Sequence, residues 1–178
     1  GFSDADHGST AFEKVPEALS QLRPITVCAL NGSIYGGATD LVLACDLRIA
    51  ADHAQLGLTE TTLAIIPGAG GTQRLPRLVG RSRAKDLILT GRKLDAAEAE
   101  RIGLVNRVVA EQDVLATAMT LAEKMAQNSP LAMRKAKEAM LGSSGRPLQE
   151  AFDVEDACIK LVLRSQDARE GSRAFMEK

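Results

Sequence analysis

Aromatic side chains are what this sequence has least of: no tryptophan, one tyrosine and four phenylalanines in 178 residues. Stacking platforms for nucleic-acid bases are correspondingly scarce. Charge of one sign is also missing, since 22 Lys and Arg balance 23 Asp and Glu for a net charge of −1. Such a balance supplies no electrostatic footprint for nucleic acid or an anionic membrane, and neither is expected as a partner. No apolar run approaches the roughly 20 residues of a membrane span. The two histidines, His7 and His53, share no metal-ligand spacing with Cys28, Cys45 and Cys158, so no metal site is expected. The cysteines are odd in number, scattered in apolar runs and without a C-x-x-C pair. That pattern fits a reducing compartment, the cytoplasm or, in a eukaryote, the mitochondrial matrix. The opening Gly1-Phe2-Ser3-Asp4 has no initiator Met, basic n-region or apolar h-region, and the chain is expected to begin partway through a longer protein.

What remains is ordinary globular material, 45% hydrophobic and 25% charged, enough to build a core. Residues Ala11 to Leu22 read as an amphipathic helix in which Pro16 is tolerable only near the start. The β-branched run Ile25 to Leu30 reads as a buried strand. Leu47 to Ala50, Ala54 to Leu58 and Leu104 to Val109 are further strand candidates. Helices are predicted over Thr72–Val79, Arg81–Leu89, Ala96–Ile102, Val114–Gln127, Leu131–Met140, Gln149–Leu163 and Asp167–Lys178. Strand–helix–strand units followed by a helical tail imply an α/β core with a helix-rich C-terminal segment.

The stretch Asn31 to Asp40 joins the first buried strand to a buried helix starting near Gly37. Gly32, Gly36 and Gly37 within this join permit positive φ and close approach of a ligand to the backbone. The first turn of the helix offers free N–H groups and the positive end of its dipole, suited to a charge that develops in a transition state. A plain strand-to-helix turn would also use some of these glycines. Asp40 lies on the first turn of this helix, and Glu60 stands in a separate Leu58–Thr62 segment. Each alone reads as a first-turn dipole charge. Together, two carboxyls in different environments could divide the taking and giving of protons needed to add water across an activated double bond. The Gly68–Gly71 loop lacks a following Lys-Ser/Thr and the spacing of a nucleotide-phosphate loop.

At this point the sequence resembles the crotonase, or enoyl-CoA hydratase/isomerase, superfamily. The residues that carry the resemblance are Pro24–Gly32, Gly36–Leu41, Ala44–Ala50 and the long Gly57–Arg77 block. Leu89–Arg92, Gly103–Asn106 and Ala174–Lys178 add to it, and the second half is similar to the methylglutaconyl-CoA hydratase and related hydratase branches. The resemblance implies a ββα spiral core whose N-terminal part is missing here, with residues 1–110 its C-terminal portion. Residues 111–178 would form a helical segment that closes the CoA pocket and makes a homotrimer or homohexamer. It implies an acyl-CoA thioester substrate, no separate cofactor, and hydration of a 2-enoyl-CoA. Enoyl- or dienoyl-CoA isomerisation, thioester hydrolysis and non-catalytic acyl-CoA binding are the alternatives.

By the same resemblance Gly37 donates one oxyanion N–H and Glu60 is the catalytic glutamate of the Pro-Gly-rich block. Asp40 falls where hydratases carry a second catalytic glutamate, one methylene longer. A misplacement of about 1 Å from such a shortening can cost about 10²-fold in rate. Dienoyl-CoA isomerases are similar in having Asp there, but carry a further Asp where this chain has Gly68. The resemblance places Tyr35, Gly36, Pro67, Gly68, Phe175 and Lys178 at the substrate, although Tyr35 could equally be a half-buried tyrosine with a satisfied hydroxyl and Lys178 a solvated terminal lysine. The family's second oxyanion donor comes from an F-S-x-G-x-D-like element, of which Phe2–Asp6 is a glycine-less echo.

Overall fold

The computed structural model describes residues 11–177. They divide into two compact units. One holds the described residues up to Leu22 together with Thr26–Leu121, and the other holds Arg23–Ile25 with the chain from Ala122 onward. The expected boundary at residues 110/111 precedes this one because α6 (Val114–Ala126) sends Val114, Ala118 and Leu121 into the first unit's core.

In the first unit, α1 (Ala11–Ser20) leads to β1 (Val27–Leu30), β2 (Ile34–Tyr35), α2 (Gly37–Leu43), β3 (Leu47–Ala51) and β4 (Gln55–Gly57). A 3-10 turn at Glu60–Leu63 precedes α3 (Gly71–Val79), α4 (Arg81–Thr90), β5 (Leu94–Asp95), α5 (Ala96–Arg101) and β6 (Arg107–Val109). The strands form two three-stranded sheets. One has the order β1-β3-β6 and is parallel throughout. The other has the order β2-β4-β5, with β2 parallel and β5 antiparallel to β4. Side chains alternate across a strand, so β3 serves two cores at once. Ala50 packs with Leu30, Val42, Leu56, Leu75 and Leu87, while Ile49 and Ala51 pack with Ala54, Val114 and Ala118.

In the second unit, α7 (Pro130–Gly142), α8 (Leu148–Leu163) and α9 (Gln166–Met176) follow one another with short links. Ser129 and Ser165 cap α7 and α9 by accepting the N–H groups of Ala132 and Ala168, which satisfies donors that helix starts leave open. Buried Lys137 donates to Pro24 O at 3.1 Å.

Three details differ from the sequence reading. Pro16 lies inside α1 rather than near its start and is fully buried. The strand predicted from Leu104 begins only at Arg107, because the N–H groups of Leu104 and Val105 are claimed by Ala99 O at the end of α5. Strands β2 and β5 went unpredicted, being two residues each, too short for an alternating pattern to register.

Leu56 is 1% exposed at the centre of the β2-β4-β5 sheet, paired with Ile34 and Leu94. Replacing Leu56 by Ala removes its methyl groups and leaves a cavity, which costs about 2–5 kcal/mol. The expected result is a lower denaturant midpoint in urea unfolding with an unchanged slope.

Candidate active site

The join at Asn31–Asp40 is built around Gly36. Its φ of 58° lies in the left-handed region that favours glycine. Its N–H donates to Gly57 O at 2.9 Å, and its own carbonyl accepts the N–H groups of Thr39 and Asp40 at 2.8 and 3.2 Å. Thr39 Oγ1 also donates to Gly57 O at 2.9 Å. These bonds fix the start of α2 against the end of β4. They also use up the third and fourth N–H groups of the helix. The first two, on Gly37 and Ala38, find no acceptor among the described residues. They sit at the positive end of the helix.

Glu60 opens the 3-10 turn three residues after β4 and is 8% exposed. Its Oε1 would lie 3.3 Å from a Cβ placed on Gly36, so the bare backbone of residue 36 is what admits the carboxylate. Asp40, 1% exposed, projects from the first turn of α2 under the glycine-rich loop, where its Oδ2 accepts Ala69 N–H at 3.1 Å. Glu60 Oε2 and Asp40 Oδ1 are buried with no hydrogen-bond partner among the described residues. Burial pushes the Asp40 carboxyl above its ordinary range, while the N–H groups of Ala69 and Gly71 and the charge of Arg74 pull the other way. Burial likewise raises Glu60; its own N–H opposes this and the nearby Asp40 charge adds to it.

Sequence reasoning missed Arg74. From the first turn of α3 it donates Nη1 to Ala69 O at 2.8 Å and reaches Pro16 O and Ser20 Oγ at 3.4 Å. The loop is therefore held on both sides of one peptide, by Asp40 at Ala69 N–H and by Arg74 at Ala69 O. A basic residue four places after Gly70 was the available signal. Gly71 is the tight point. A Cβ there would overlap Asp40 Oδ1 and stand 2.9 Å from Leu58 Cδ1 and 3.1 Å from Pro67 Cβ.

The structure thus brings Gly36, Gly37, Asp40, Glu60 and the Pro67–Gly71 loop together in the first unit. Tyr35 is half-exposed beside them. Its hydroxyl donates to Gln55 Oε1 at 3.0 Å and Lys93 Nζ lies 4.2 Å from its ring centre. Phe175 belongs to the second unit, on α9, and is 83% exposed. Lys178, Phe2–Asp6 and His7 lie outside the described residues. His53 is on the surface, 3.5 Å from Asp52 and 3.9 Å from Glu111. Among the described residues no group of three His, Cys, Asp or Glu gathers as metal ligands would.

Two helix-start N–H groups without an acceptor among the described residues and two buried carboxyls thus belong to one unit of short strands and helices. Comparison with known proteins gives that architecture a family. The crystal structure of enoyl-CoA hydratase from Bacillus anthracis superposes with a TM-score of 0.90 at 49% identity, covering 93% of this chain and 64% of that one. The sequence matches the enoyl-CoA hydratase/isomerase family over residues 3–178, and the chain belongs to that family, with its crotonase fold. It is 47% identical to "Probable enoyl-CoA hydratase 2, mitochondrial" of Arabidopsis thaliana, over 86% of this chain and 51% of the relative. It is 42% identical to "Enoyl-CoA isomerase/hydratase fer4" of Mycosarcoma maydis, over 91% of this chain and 60% of the relative. The chain therefore spans about half to two-thirds of the length of the curated relatives it matches.

Two outcomes follow from the packing and charge. Gly71→Ala lowers stability by about 1–3 kcal/mol through overpacking, whereas Gly32→Ala, with open space around residue 32, stays within about 0.5 kcal/mol; thermal melts of both variants check this. Because the folded state raises the Glu60 pKa, the stability tied to its protonated form is present below the ordinary carboxylate pKa of about 4 and is lost as pH rises through the folded value. Glu60→Gln is thus expected to melt higher than the parent at neutral pH, with the gain vanishing in acid. A gain that is constant with pH would contradict the buried-charge account.

Proposed function

We propose that the protein hydrates 2-enoyl-CoA thioesters. The observation that carries this reading is the pair of buried carboxyls, each with one oxygen lacking a hydrogen-bond partner among the described residues, together with the N–H groups at the start of α2 that find no acceptor among those residues. In this reading the thioester oxygen accepts the Gly37 N–H. One carboxylate removes a proton from water as the water oxygen bonds to C3 of the enoyl group. The electron pair of the double bond moves onto the thioester oxygen as an enolate, stabilised by that N–H. The enolate then collapses as the other carboxyl delivers a proton to C2. Leu63, Ile65 and Ile66, all exposed after Glu60, support an apolar acyl chain as the neighbour of this site. Tyr35, Gly36, Pro67 and Gly68 would border the same pocket. Coenzyme A enters as part of the substrate and no separate cofactor is required.

One observation favours a second reading, isomerisation of an enoyl-CoA double bond. Asp40 is already engaged by Ala69 N–H and its charged form is favoured by Arg74, which leaves Glu60 to shuttle the proton alone in this reading. The test is loss of the conjugated enoyl absorbance of crotonyl-CoA with full-length protein. Glu60→Gln and Asp40→Asn are each expected to slow hydration by about 10²-fold or more. Conversion of a 3-enoyl-CoA to the conjugated 2-enoyl form by the parent, nearly unchanged in Asp40→Asn and abolished in Glu60→Gln, favours isomerisation. Absence of turnover by the parent on short, medium and branched enoyl-CoAs would sink the hydratase reading.

The helical second unit is proposed to assemble into a homotrimer or homohexamer. Leu148, Phe152, Leu163, Phe175 and Met176 are exposed apolar side chains on its last two helices, more than an isolated surface ordinarily leaves in one segment. Light scattering of the full-length protein is expected to give the mass of a trimer or hexamer, and a monomer would overturn this. No helix of the described residues is long and apolar enough to cross a membrane. The cytoplasm, or the mitochondrial matrix in a eukaryote, is the proposed location.

A further inference from the structure

Arg74 joins two elements of the first unit, the glycine-rich loop and α1. Helical side chains lean back toward the N-terminus of their own helix, so a residue on the first turn of α3 reaches the loop just before it. Arg74 Nη1 donates to Ala69 O at 2.8 Å. Its Nη2 approaches Pro16 O and Ser20 Oγ of α1, each at 3.4 Å. At this point α1 is a firm anchor, since Pro16 is fully buried. The guanidinium donors lie in one rigid plane, so holding the α1 side also fixes where Nη1 meets the loop.

The loop is shaped to admit this side chain. Gly70 has a φ of 108°, in the region that favours glycine. A Cβ on it would overlap Arg74 Nη1 and stand 2.9 Å from Arg74 Cζ. At Gly71 a Cβ would instead overlap Asp40 Oδ1. Successive glycines thus leave room first for the guanidinium and then for the carboxyl. Residue 69, just before them, is bonded at both of its backbone groups. Its N–H is held by Asp40 Oδ2 at 3.1 Å and its carbonyl by Arg74. The bond from the guanidinium is charge-assisted and so among the stronger kinds.

We propose that Arg74 is a positioning residue for the acyl-CoA reaction: it props the Gly68–Gly71 loop against α1 and thereby holds Asp40 in its working place. Arg74 acts through Ala69 on Asp40 and touches no reacting atom. The kinetic consequence rests on the hydratase reading, whereas the bracing of the loop rests on the bonds alone.

Two measurements on the full-length protein test it. In crotonyl-CoA hydration, Arg74→Ala is expected to lower kcat by about 10²-fold, the scale of a misplacement of about 1 Å, with KM within about threefold of the parent's. In the Asp40→Asn background the same replacement is expected to lower kcat by no more than about threefold, because residues that act as a unit are not additive. A merely structural role gives the same fold-loss in both backgrounds. That result would overturn the proposal, and so would full activity of Arg74→Ala. Hydrogen–deuterium exchange supplies a readout that needs no turnover. Peptides covering Pro67–Gly71 are expected to exchange faster in Arg74→Ala while those covering β3 are unchanged. If the parent hydrates no enoyl-CoA, the hydratase reading fails and exchange alone decides: a loop as protected as in the parent overturns the bracing role. Faster exchange in β3 as well marks a variant that has lost the fold. Arg74→Lys, which keeps the charge but not the planar fork, then takes its place in both measurements, with the same directions of change expected.

Discussion

One carbonyl oxygen organises the site. Gly57 O, at the end of β4, accepts both the N–H of Gly36 and the hydroxyl of Thr39, each at 2.9 Å. The first bond belongs to the approach to α2 and the second to its first turn, so a single acceptor fixes both the position and the direction of the helix start. Glu60 leaves the same strand three residues later. Its carboxylate consequently meets the backbone of Gly36 at a distance set by β4 itself. The geometry of the helix start and that of Glu60 are not independent variables, because both hang from one strand end. A site on rigid elements tied in this way keeps its spacing through thermal motion better than one carried on separate loops.

The second constraint is the burial of two acids. Removing a carboxylate from water costs free energy unless donors replace the lost hydration. Asp40 regains part of that through Ala69 N–H and through the charge of Arg74. Glu60 regains less, and each has one oxygen without a hydrogen-bond partner among the described residues. Uncompensated buried groups of this kind are characteristic of places where a protein gives up stability for chemistry. Arg74 gives the arrangement coherence. By bonding Ala69 O while Asp40 holds Ala69 N–H, it fixes the peptide from both ends, and the loop becomes a preorganised wall of the site.

Much of this was legible in the sequence because it depends on local pattern. The β-branched run ending at Leu30, the apolar stretch of α2 and the periodic helices from Thr72 onward follow from hydrophobic spacing and occur where that spacing puts them. The glycines at 36 and 37 marked the helix start, and the family resemblance pointed to Glu60. What escaped was non-local. The partner of Arg74 is a carbonyl five residues back whose importance comes from Asp40 on another helix. Strands β2 and β5 exist only because β4 passes between them, and no two-residue segment encodes that. Leu104 and Val105 read as strand because they are apolar; they are turn residues because the end of α5 offers a carbonyl to their N–H groups. Pro16 reads as a helix breaker, yet its ring is buried and its carbonyl is used by Arg74, so packing overrides propensity there.

The aspartate at position 40 acquires a physical meaning from these contacts. A shorter acid on the first turn of α2 stays close to the helix, and the loop comes down to meet it: Gly71 passes so near Oδ1 that no side chain fits between them. The absence of a Cβ at residue 71 and the short reach of residue 40 are therefore complementary. A longer acid at 40 would have to displace the loop or turn away from Ala69 N–H, and a larger residue at 71 would push the loop off the acid. The identity of residue 40 is thus coupled to the path of Gly68–Gly71, and through Arg74 to α1. Whether Asp40 moves a proton itself or holds the wall while Glu60 does so, the loop it anchors sets the shape of the space above the first turn of α2.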